Sequence, residues 1–476
     1  MPTSFDTIAA IATPPGLGGI AILRLSGPGV PAALVRLFRP KNAGQGAASF
    51  AFIPRHMHYG DALDGEGMRL DEALAVYMPG PHSATGEDVG EIHCHGGSGV
   101  TTALLEAALA CGARLAGPGE FTRRAFLNGR MDLTQAEAVA EIISAPTREG
   151  VRLAAAKLNG ALAREIRAVR EALDALRIQV ALCVDFPEED AELLSRRAFE
   201  GTVDECKSAI RRLLAAFERA RLWREGALAV LTGPVNAGKS SLFNALLGRE
   251  RTIVSPAPGT TRDYIEESVN IRGTPLRLAD TAGLRESGDA VEAEGMRRSR
   301  ELAEEADIVL FVVDASAPAG PEENEFLSRW SGLIREGRLL LVLNKLDLLE
   351  GRGPVCRDLL KLDRYPDATL REICFPVSAK QGLGLEELTQ GLLRALHSPG
   401  KDAGTGDVAP NLRQAGLLRE ALDDLEQLSA ALARGYPPDI LGVHLETAAH
   451  ALAEVTGVLD NEAMLDRIFS SFCIGK

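Results

Sequence analysis

The stretch GPVNAGKSS, Gly233 to Ser241, constrains this chain more than any other. Two glycines five residues apart, followed by Lys239 and Ser240, make a phosphate-loop pattern. It follows the apolar run ALAVLT and opens SSLFNALLG, so it predicts a buried strand, a tight loop and a helix whose first turn faces an anion. Amides of Gly233, Asn236, Ala237 and Gly238 would cradle the phosphates, with Ser241 in the opening turn. Lys239 would reach the β and γ oxygens, and the Ser240 hydroxyl would hold Mg2+. A strand, loop and helix of this kind belong in a mostly parallel sheet with crossover helices. Further strand-like runs, TPLRLADTAG, ADIVLFVVDAS, RLLLVLNKLD and EICFPVSAK, recur between helical stretches up to about residue 397.

Three more elements arrive in order. DTAG supplies Asp280 at a strand end for the Mg2+ shell, with Thr281, Ala282 and Gly283 after it. PGTTRD offers Thr261 as the switch threonine that senses the γ phosphate. NKLD sets Asn344, Lys345 and Asp347 at another strand end. There Asp347 can accept from the ring NH and amino group of guanine, a donor pair adenine lacks, and Asn344 can meet the opposite edge. SAK, with Ser378, Ala379 and Lys380, completes the base pocket. Together they read as a Ras-like GTPase that binds GTP and Mg2+. Where many GTPases carry Gln after the Asp-x-x-Gly, to orient the attacking water, this chain has Leu284. Another group must do that work; Glu292 is the nearest carboxylate, although an exposed acidic run accounts for it equally well.

Around this unit the texture differs. Residues 1–117 mix short apolar runs with Gly and Pro, as an α+β domain would. Leu158, Leu162, Ile166, Val169, Leu173, Leu176 and Val180 step by three or four, predicting one long helix with a buried stripe, broken at DFPEED. Leu418, Leu422, Leu425, Leu428 and Leu432 repeat that signal after a polar linker. The expected order is an N-terminal domain (1–117), a helical part (118–222), an inserted Ras-like P-loop G domain (223–400) and a second helical part (401–476). The class is multidomain, α/β plus α, with the helical domain discontinuous.

Composition narrows the partners. The formal charge of −14 argues against coating nucleic acid by bulk attraction. Seven scattered cysteines read as reduced thiols, and no apolar run is long enough to span a membrane. The protein is expected to be cytoplasmic, with no membrane partner. His93 and His95 flank Cys94 on one strand face, where a metal is one reading and a structural role the other. Asp185, Glu188, Glu189 and Asp190 could hold a cation, with an acidic loop at a helix start as the default reading.

DTIAAIATPPG, ATGEDVGEIHCHGG, PGEFTRRAFLNGRMDLTQAEAV, VEAEG and the closing FCIGK, taken with the GTPase set, resemble the tRNA-modification GTPase family called MnmE or TrmE. The resemblance runs from one end of the chain to the other. It implies an N-terminal domain that binds formyl- or methylene-tetrahydrofolate and forms a homodimer. It also implies a FAD-containing partner, MnmG, in a heterotetramer or larger complex, with tRNA as substrate. The product would be an aminomethyl or carboxymethylaminomethyl group on carbon 5 of the wobble uridine. Carried over, K+ falls to Asn236, Ser255, Ala257 and Thr260, Mg2+ to Ser240 and Thr261, and water orientation to Glu292. Folate falls to Arg24, Glu91, Arg130 and Lys476. Departures are Leu17 where Arg is common, Gln414 where His is, and Glu446 where Arg is.

Rival readings are a ribosome-associated regulatory GTPase, for which no basic RNA-binding appendage is visible, and a folate one-carbon enzyme, which leaves the GTPase unexplained. Cys473 in FCIGK is followed by Ile474, Gly475 and Lys476, outside the usual prenylation signals. It is either a buried structural cysteine or a reagent in the modification, expected catalytic together with Glu292.

Overall fold

The computed structural model describes residues 6–41, 50–185, 196–249, 265–280, 301–318, 320, 329–349, 366–396, 408–458 and 462–476. It divides into two compact units. One comprises Met1–Ile143, Ala154–Arg212 and Pro410–Lys476; the other comprises Ser144–Leu153 and Leu213–Ala409.

In the first unit, β1 (Ile8–Ile11), β2 (Gly18–Ser26), β3 (Phe38–Pro40), β4 (His58–Leu63), β5 (Arg69–Met78), β6 (Val89–Gly96) and β7 (Arg114–Leu115) form one sheet. Its order is β3-β4-β5-β6-β2-β1-β7, antiparallel except where β7 joins β1. Helices α1 (Val30–Leu37) and α2 (Ser98–Ala110) cover one face, where Leu23, Leu25, Ile92, Leu34 and Leu104 are buried together. Period-two alternation is clear on β6. Gly90, Ile92, Cys94 and Gly96 are buried, while Glu91, His93 and His95 turn to the other face.

After α3 (Glu120–Leu127) come α4 (Leu133–Ser144), α5 (Arg148–Leu158), α6 (Ala161–Asp185) and α7 (Arg196–Glu225). The single helix expected from Leu158 onward is two. Its apolar stripe from Leu162 to Val180 is buried as expected, but Leu158 ends α5, closed by Gly160 at φ 73°. A stripe with steps of three and four residues cannot register a break that falls between its apolar positions.

The second unit holds β8 (Ala227–Thr232), α8 (Lys239–Arg249), β9 (Ile265–Ile271), β10 (Thr274–Asp280), β11 (Ile308–Asp314), α9 (Ser331–Arg335), β12 (Leu339–Asn344), α10 (Asp367–Ile373), β13 (Cys374–Pro376) and α11 (Leu385–Leu396). The sheet order is β13-β12-β11-β8-β10-β9, parallel except for β9 against β10. Every residue of β8 and β12 is buried, as strands covered on both faces require. Leu231, Leu310 and Val342 pack with α8 and α11 on one face; Val230, Phe311 and Leu341 pack with α9 and α10 on the other. Each fully buried Leu, Ile or Phe side chain contributes about 1.5–3 kcal/mol.

The chain returns to the first unit through α12 (Leu412–Ala433), α13 (Pro438–Thr456) and α14 (Glu462–Ser470), and α13 packs along both α12 and α6. Asn411 starts α12 with a capping box closed by Gln414. Gln414 is fully buried and also donates to Glu137 at 2.6 Å. Arg413 grips both Glu137 oxygens at 2.7 and 2.8 Å and donates to the carbonyls of Glu454 and Val455. The departures at Leu17 and Glu446 are a fully solvated side chain and an ion-pair partner of Arg177 at 3.5 Å.

The compact units thus gather the expected N-terminal and helical regions into one body. They also give Ser144–Leu153 to the G-domain unit, and α7 runs to Glu225, past the expected boundary at 222. Cys374 is disulfide-bonded, against the expectation of reduced thiols throughout. Cys94, Cys111, Cys183, Cys206 and Cys473 are free.

Candidate functional site

The phosphate loop forms where expected, between β8 and α8. Asn236 takes a left-handed φ of 60° and Gly238 one of 91°. A side chain at Gly238 would run into the Asn344 amide, which explains glycine there in physical terms. The Lys239 ammonium donates to the carbonyls of Gly233 and Pro234 at 2.9 and 2.7 Å. It therefore lies across the loop that its spacing assigns to phosphate. Ser240 Oγ donates to Asp280 Oδ2 at 2.8 Å. A hydroxyl beside a carboxylate at a strand end is the hard-oxygen donor set Mg2+ takes, so these residues fit that ion.

At the base end, Asn344 is only 3% exposed. Its amide donates to Ala237 O at 2.9 Å and accepts from Ala379 N at 3.0 Å, bracing the phosphate loop and the SAK loop together. Both ends of that amide are engaged with backbone, whereas the sequence reading gave it a base edge. Ser378 Oγ donates to Asp347 Oδ1 at 2.6 Å and accepts from Gln381 N, which fixes the carboxylate expected to read guanine. Lys345, at φ 66°, pairs with Asp314 at 2.5 Å.

Asp314 is the residue the sequence reading missed. Burial works to raise its pKa, yet bonds from Lys345 and from the Ser316 hydroxyl and amide hold it below the ordinary range. Its signal was the Asp in VVDAS, whose partner becomes visible only once β11 and β12 align Asp314 with Asn344. Ser255, Ala257, Thr260, Thr261, Thr281, Ala282, Gly283, Leu284 and Glu292 lie outside the described residues, as do Glu188, Glu189 and Asp190. Ser241 begins inside α8, and Lys380 follows Ala379 in the turn after β13.

The second candidate site is on the sheet face opposite α1 and α2, where Phe121 of α3 packs with Ile8 and Ala10. Arg24 on β2 and Glu91 on β6 are cross-strand partners, with Nε–Oε1 at 2.9 Å. Arg24 also donates to Gly475 O at 3.2 Å and stands 5.8 Å from the Phe121 ring. The closing FCIGK is stitched in beside it: Ile474 bridges Pro118, and Gly119 N donates to Cys473 O at 3.3 Å. Gly475 is buried at φ 92°, where an added Cβ would lie 2.7 Å from Ile11 O. Cys473 is exposed, which removes the buried structural reading. Lys476 is half-buried, and Arg130 donates to Ser83 O at 3.1 Å.

His93 and His95 do share a face, but each has an acid: Glu91 at 3.0 Å and Asp71 at 2.9 Å. Burial, helped by Asp71, pushes the Cys94 thiol up to about 11, so it stays protonated near neutral pH. Among the described residues no three or more His, Cys, Asp or Glu side chains cluster as a metal site. No helix among them is long and apolar enough to cross a membrane.

Two family models match the chain: "MnmE helical domain" over residues 133–473 and "GTP-binding protein TrmE N-terminus" over residues 7–130. The chain is 52% identical over 474 residues to the tRNA modification GTPase MnmE of Nitratidesulfovibrio vulgaris strain DP4, covering 99% of each. It is 43% identical to that of Lawsonia intracellularis, over 99% of this chain and all of that protein. Against that of Carboxydothermus hydrogenoformans it is 41% identical, over 99% of each. The phosphate loop, the braced base pocket and these matches lead to one conclusion: the chain belongs to the MnmE family of tRNA modification GTPases.

Proposed function

We propose that this GTPase is potassium-dependent, pairs its G domains within a homodimer, and acts with the FAD-containing MnmG to place an aminomethyl or carboxymethylaminomethyl group on carbon 5 of the wobble uridine of tRNA. GTP binds through the loop from Gly233 to Ser241, Thr281–Gly283, the Asn344–Asp347 segment and Ser378–Lys380. Ser240, Asp280 and Thr261 hold Mg2+; Asn236, Ser255, Ala257 and Thr260 hold K+. Glu292 orients the attacking water in place of the glutamine that Leu284 displaces. On binding, Lys239 leaves the carbonyls of Gly233 and Pro234 for the phosphate oxygens, exchanging two neutral acceptors for charged ones.

Formyl- or methylene-tetrahydrofolate binds at Arg24, Glu91, Arg130 and Lys476, where a carboxylate suits the amino and ring NH edge of the pterin and cations suit its glutamate. Cys473 is the reagent thiol. The pairing of Arg24 with both Glu91 and the carbonyl of Gly475 supports this reading most, because it joins the expected folate residues to the segment that carries the thiol. The ribosome-regulator alternative is set aside, since no observation favours it. The test is mass spectrometry of wobble uridine in cells lacking this protein, complemented with the wild type or Cys473→Ser. Modification should be lost and restored only by the wild type; modification that persists in the deletion removes the reading. Hydrolysis in purified protein should be faster in K+ than in Na+, and equal rates overturn the potassium assignment.

A further inference from the structure

His93 is the imidazole on the expected folate face that the proposed function leaves without a task. It follows Glu91 by two residues on β6, on the same side of the strand, and its Nε2 lies 3.0 Å from Glu91 Oε2. The other carboxylate oxygen, Oε1, accepts from Arg24 Nε at 2.9 Å. An ionised carboxylate only accepts, so the proton of the imidazole contact sits on Nε2 of the ring. The cross-strand neighbours of His93 are Ile22 on β2 and Leu74 on β5, whose side chains offer the ring no competing hydrogen bond.

The last torsion of a glutamate is broad, so a single contact leaves the carboxylate free to turn about its Cγ–Cδ bond. Arg24 meets Glu91 through Nε, while its Nη1 is turned to Gly475 O at 3.2 Å. With Oε1 on Arg24 and Oε2 on His93, donors on two strands pin both oxygens and therefore the plane of the carboxylate. Each oxygen keeps a further acceptor site, so the pinned group presents two parallel acceptors at a fixed angle. The Glu91 side chain is 14% exposed and that of His93 26%, which leaves this edge within reach of a ligand. Two parallel N–H donors, an amino group beside a ring NH, match such an edge; a lone donor gains nothing from the fixed plane.

We propose that His93 is a positioning residue for the pterin: by holding Glu91 Oε2 it sets the carboxylate to receive the amino and ring NH edge of a tetrahydrofolate. The proposal rests on the folate reading above and deepens it. His93 acts through Glu91 and needs no contact of its own with the ligand. A fixed acceptor pair binds more tightly than a turning one because less torsional freedom is lost on binding.

The experiment is isothermal titration of the full-length protein with 5-formyltetrahydrofolate. His93→Leu places an apolar side chain between Ile22 and Leu74 and removes the donor; it should weaken binding by roughly fivefold to tenfold, the worth of one hydrogen bond. His93→Gln puts an amide nitrogen as many bonds from Cβ as the lost Nε2 and should bind within about twofold of the wild type. In a Glu91→Gln background, His93→Leu should change the affinity by less than about twofold, because the two residues act as one unit. Equal affinity in His93→Leu and the wild type overturns the positioning role and leaves the folate reading standing. A loss in His93→Gln as large as in His93→Leu does the same. So does a His93→Leu loss that persists undiminished beside Glu91→Gln, since it then arises from the fold or from direct contact of the ring with the ligand. If the wild type binds no 5-formyltetrahydrofolate, the folate reading itself falls and the positioning role with it.

Discussion

Substituting Gly475 by Ala separates the seating of the Cys473–Lys476 segment from the nucleotide chemistry. At φ 92° a non-glycine residue costs about 1–3 kcal/mol. The new Cβ would stand 2.7 Å from Ile11 O and 2.8 Å from Ala12 Cα, both backbone atoms of a strand end that cannot easily move. Relieving such overpacking adds about 1–3 kcal/mol. Against this total of roughly 2–6 kcal/mol stand the Gly119 amide on Cys473 O, the Pro118–Ile474 bridge and the Arg24 guanidinium on Gly475 O. The Gly119 bond is itself part of that bridge, so one neutral bond at about 1 kcal/mol and one charge-assisted bond at about 1.5–3 kcal/mol hold the segment by roughly 2.5–4 kcal/mol. The cost and the holding energy are comparable, so the segment should be unseated much of the time. Wobble-uridine modification should fall at least tenfold, GTP hydrolysis should stay within about twofold of wild type, and hydrogen exchange at the Gly119 amide should accelerate. Ile474→Ala, at a side chain that is 53% exposed, serves as the control and should change little. Full modification together with unchanged Gly119 protection in Gly475→Ala would refute the reasoning.

Three further expectations concern other contacts. Asp314→Asn removes the charge that holds Lys345 and should weaken GDP and GTP binding by about fivefold, with kcat little changed; an unaltered Kd in fluorescence titration counts against a positioning role. Arg413→Met leaves Glu137, whose side chain is 9% exposed, without its bidentate partner and uncaps two α13 carbonyls. The cost should be about 2–4 kcal/mol in urea denaturation, and a loss below about 0.5 kcal/mol contradicts it. Burial works to raise Glu120, but Arg114, the Gly117 amide and Arg124 hold it below its ordinary 4.5. Asp6 is likewise held below 3.8 by the same arginines, again against burial. Folded values below the ordinary ones mean stability that is whole above pH 4.5 and lost as pH falls through the lowered values. The melting temperature should therefore fall on acidification below that pH, and more shallowly in Arg114→Gln; parallel acid limbs would argue that the network is electrostatically inert.

The phosphate loop and base pocket were legible because their chemistry is fixed by spacing within short segments: Gly233 to Ser240, Asn344 to Asp347, Ser378 to Lys380. The Asp314–Lys345 pair was not, since it depends on the register of two strands 31 residues apart. The same limit hid the engagement of Asn344 with backbone on both sides, which needs three loops in place. Apolar periodicity found the buried stripe of α6 yet ran through the break at Gly160. The address of FCIGK was expected from the packing of the two apolar-striped helical flanks together with the resemblance. The contacts that hold it, on Pro118, Gly119 and Arg24, involve residues that no local pattern links to it.

The contact between Arg24 and the carbonyl of Gly475 joins positions 451 residues apart. At roughly 5–20 residues per second of synthesis, the second partner emerges about 23–90 s after the first. The N-terminal sheet can fold long before then, but with the seat for residues 473–476 still open. A nascent or prematurely truncated chain could hold a finished nucleotide domain and still lack the carbonyl of Gly475 that Arg24 grips. Residues 473–476 are thus the last to be seated, and the exposed Cys473 comes to the N-terminal sheet only after the rest of the chain has been made.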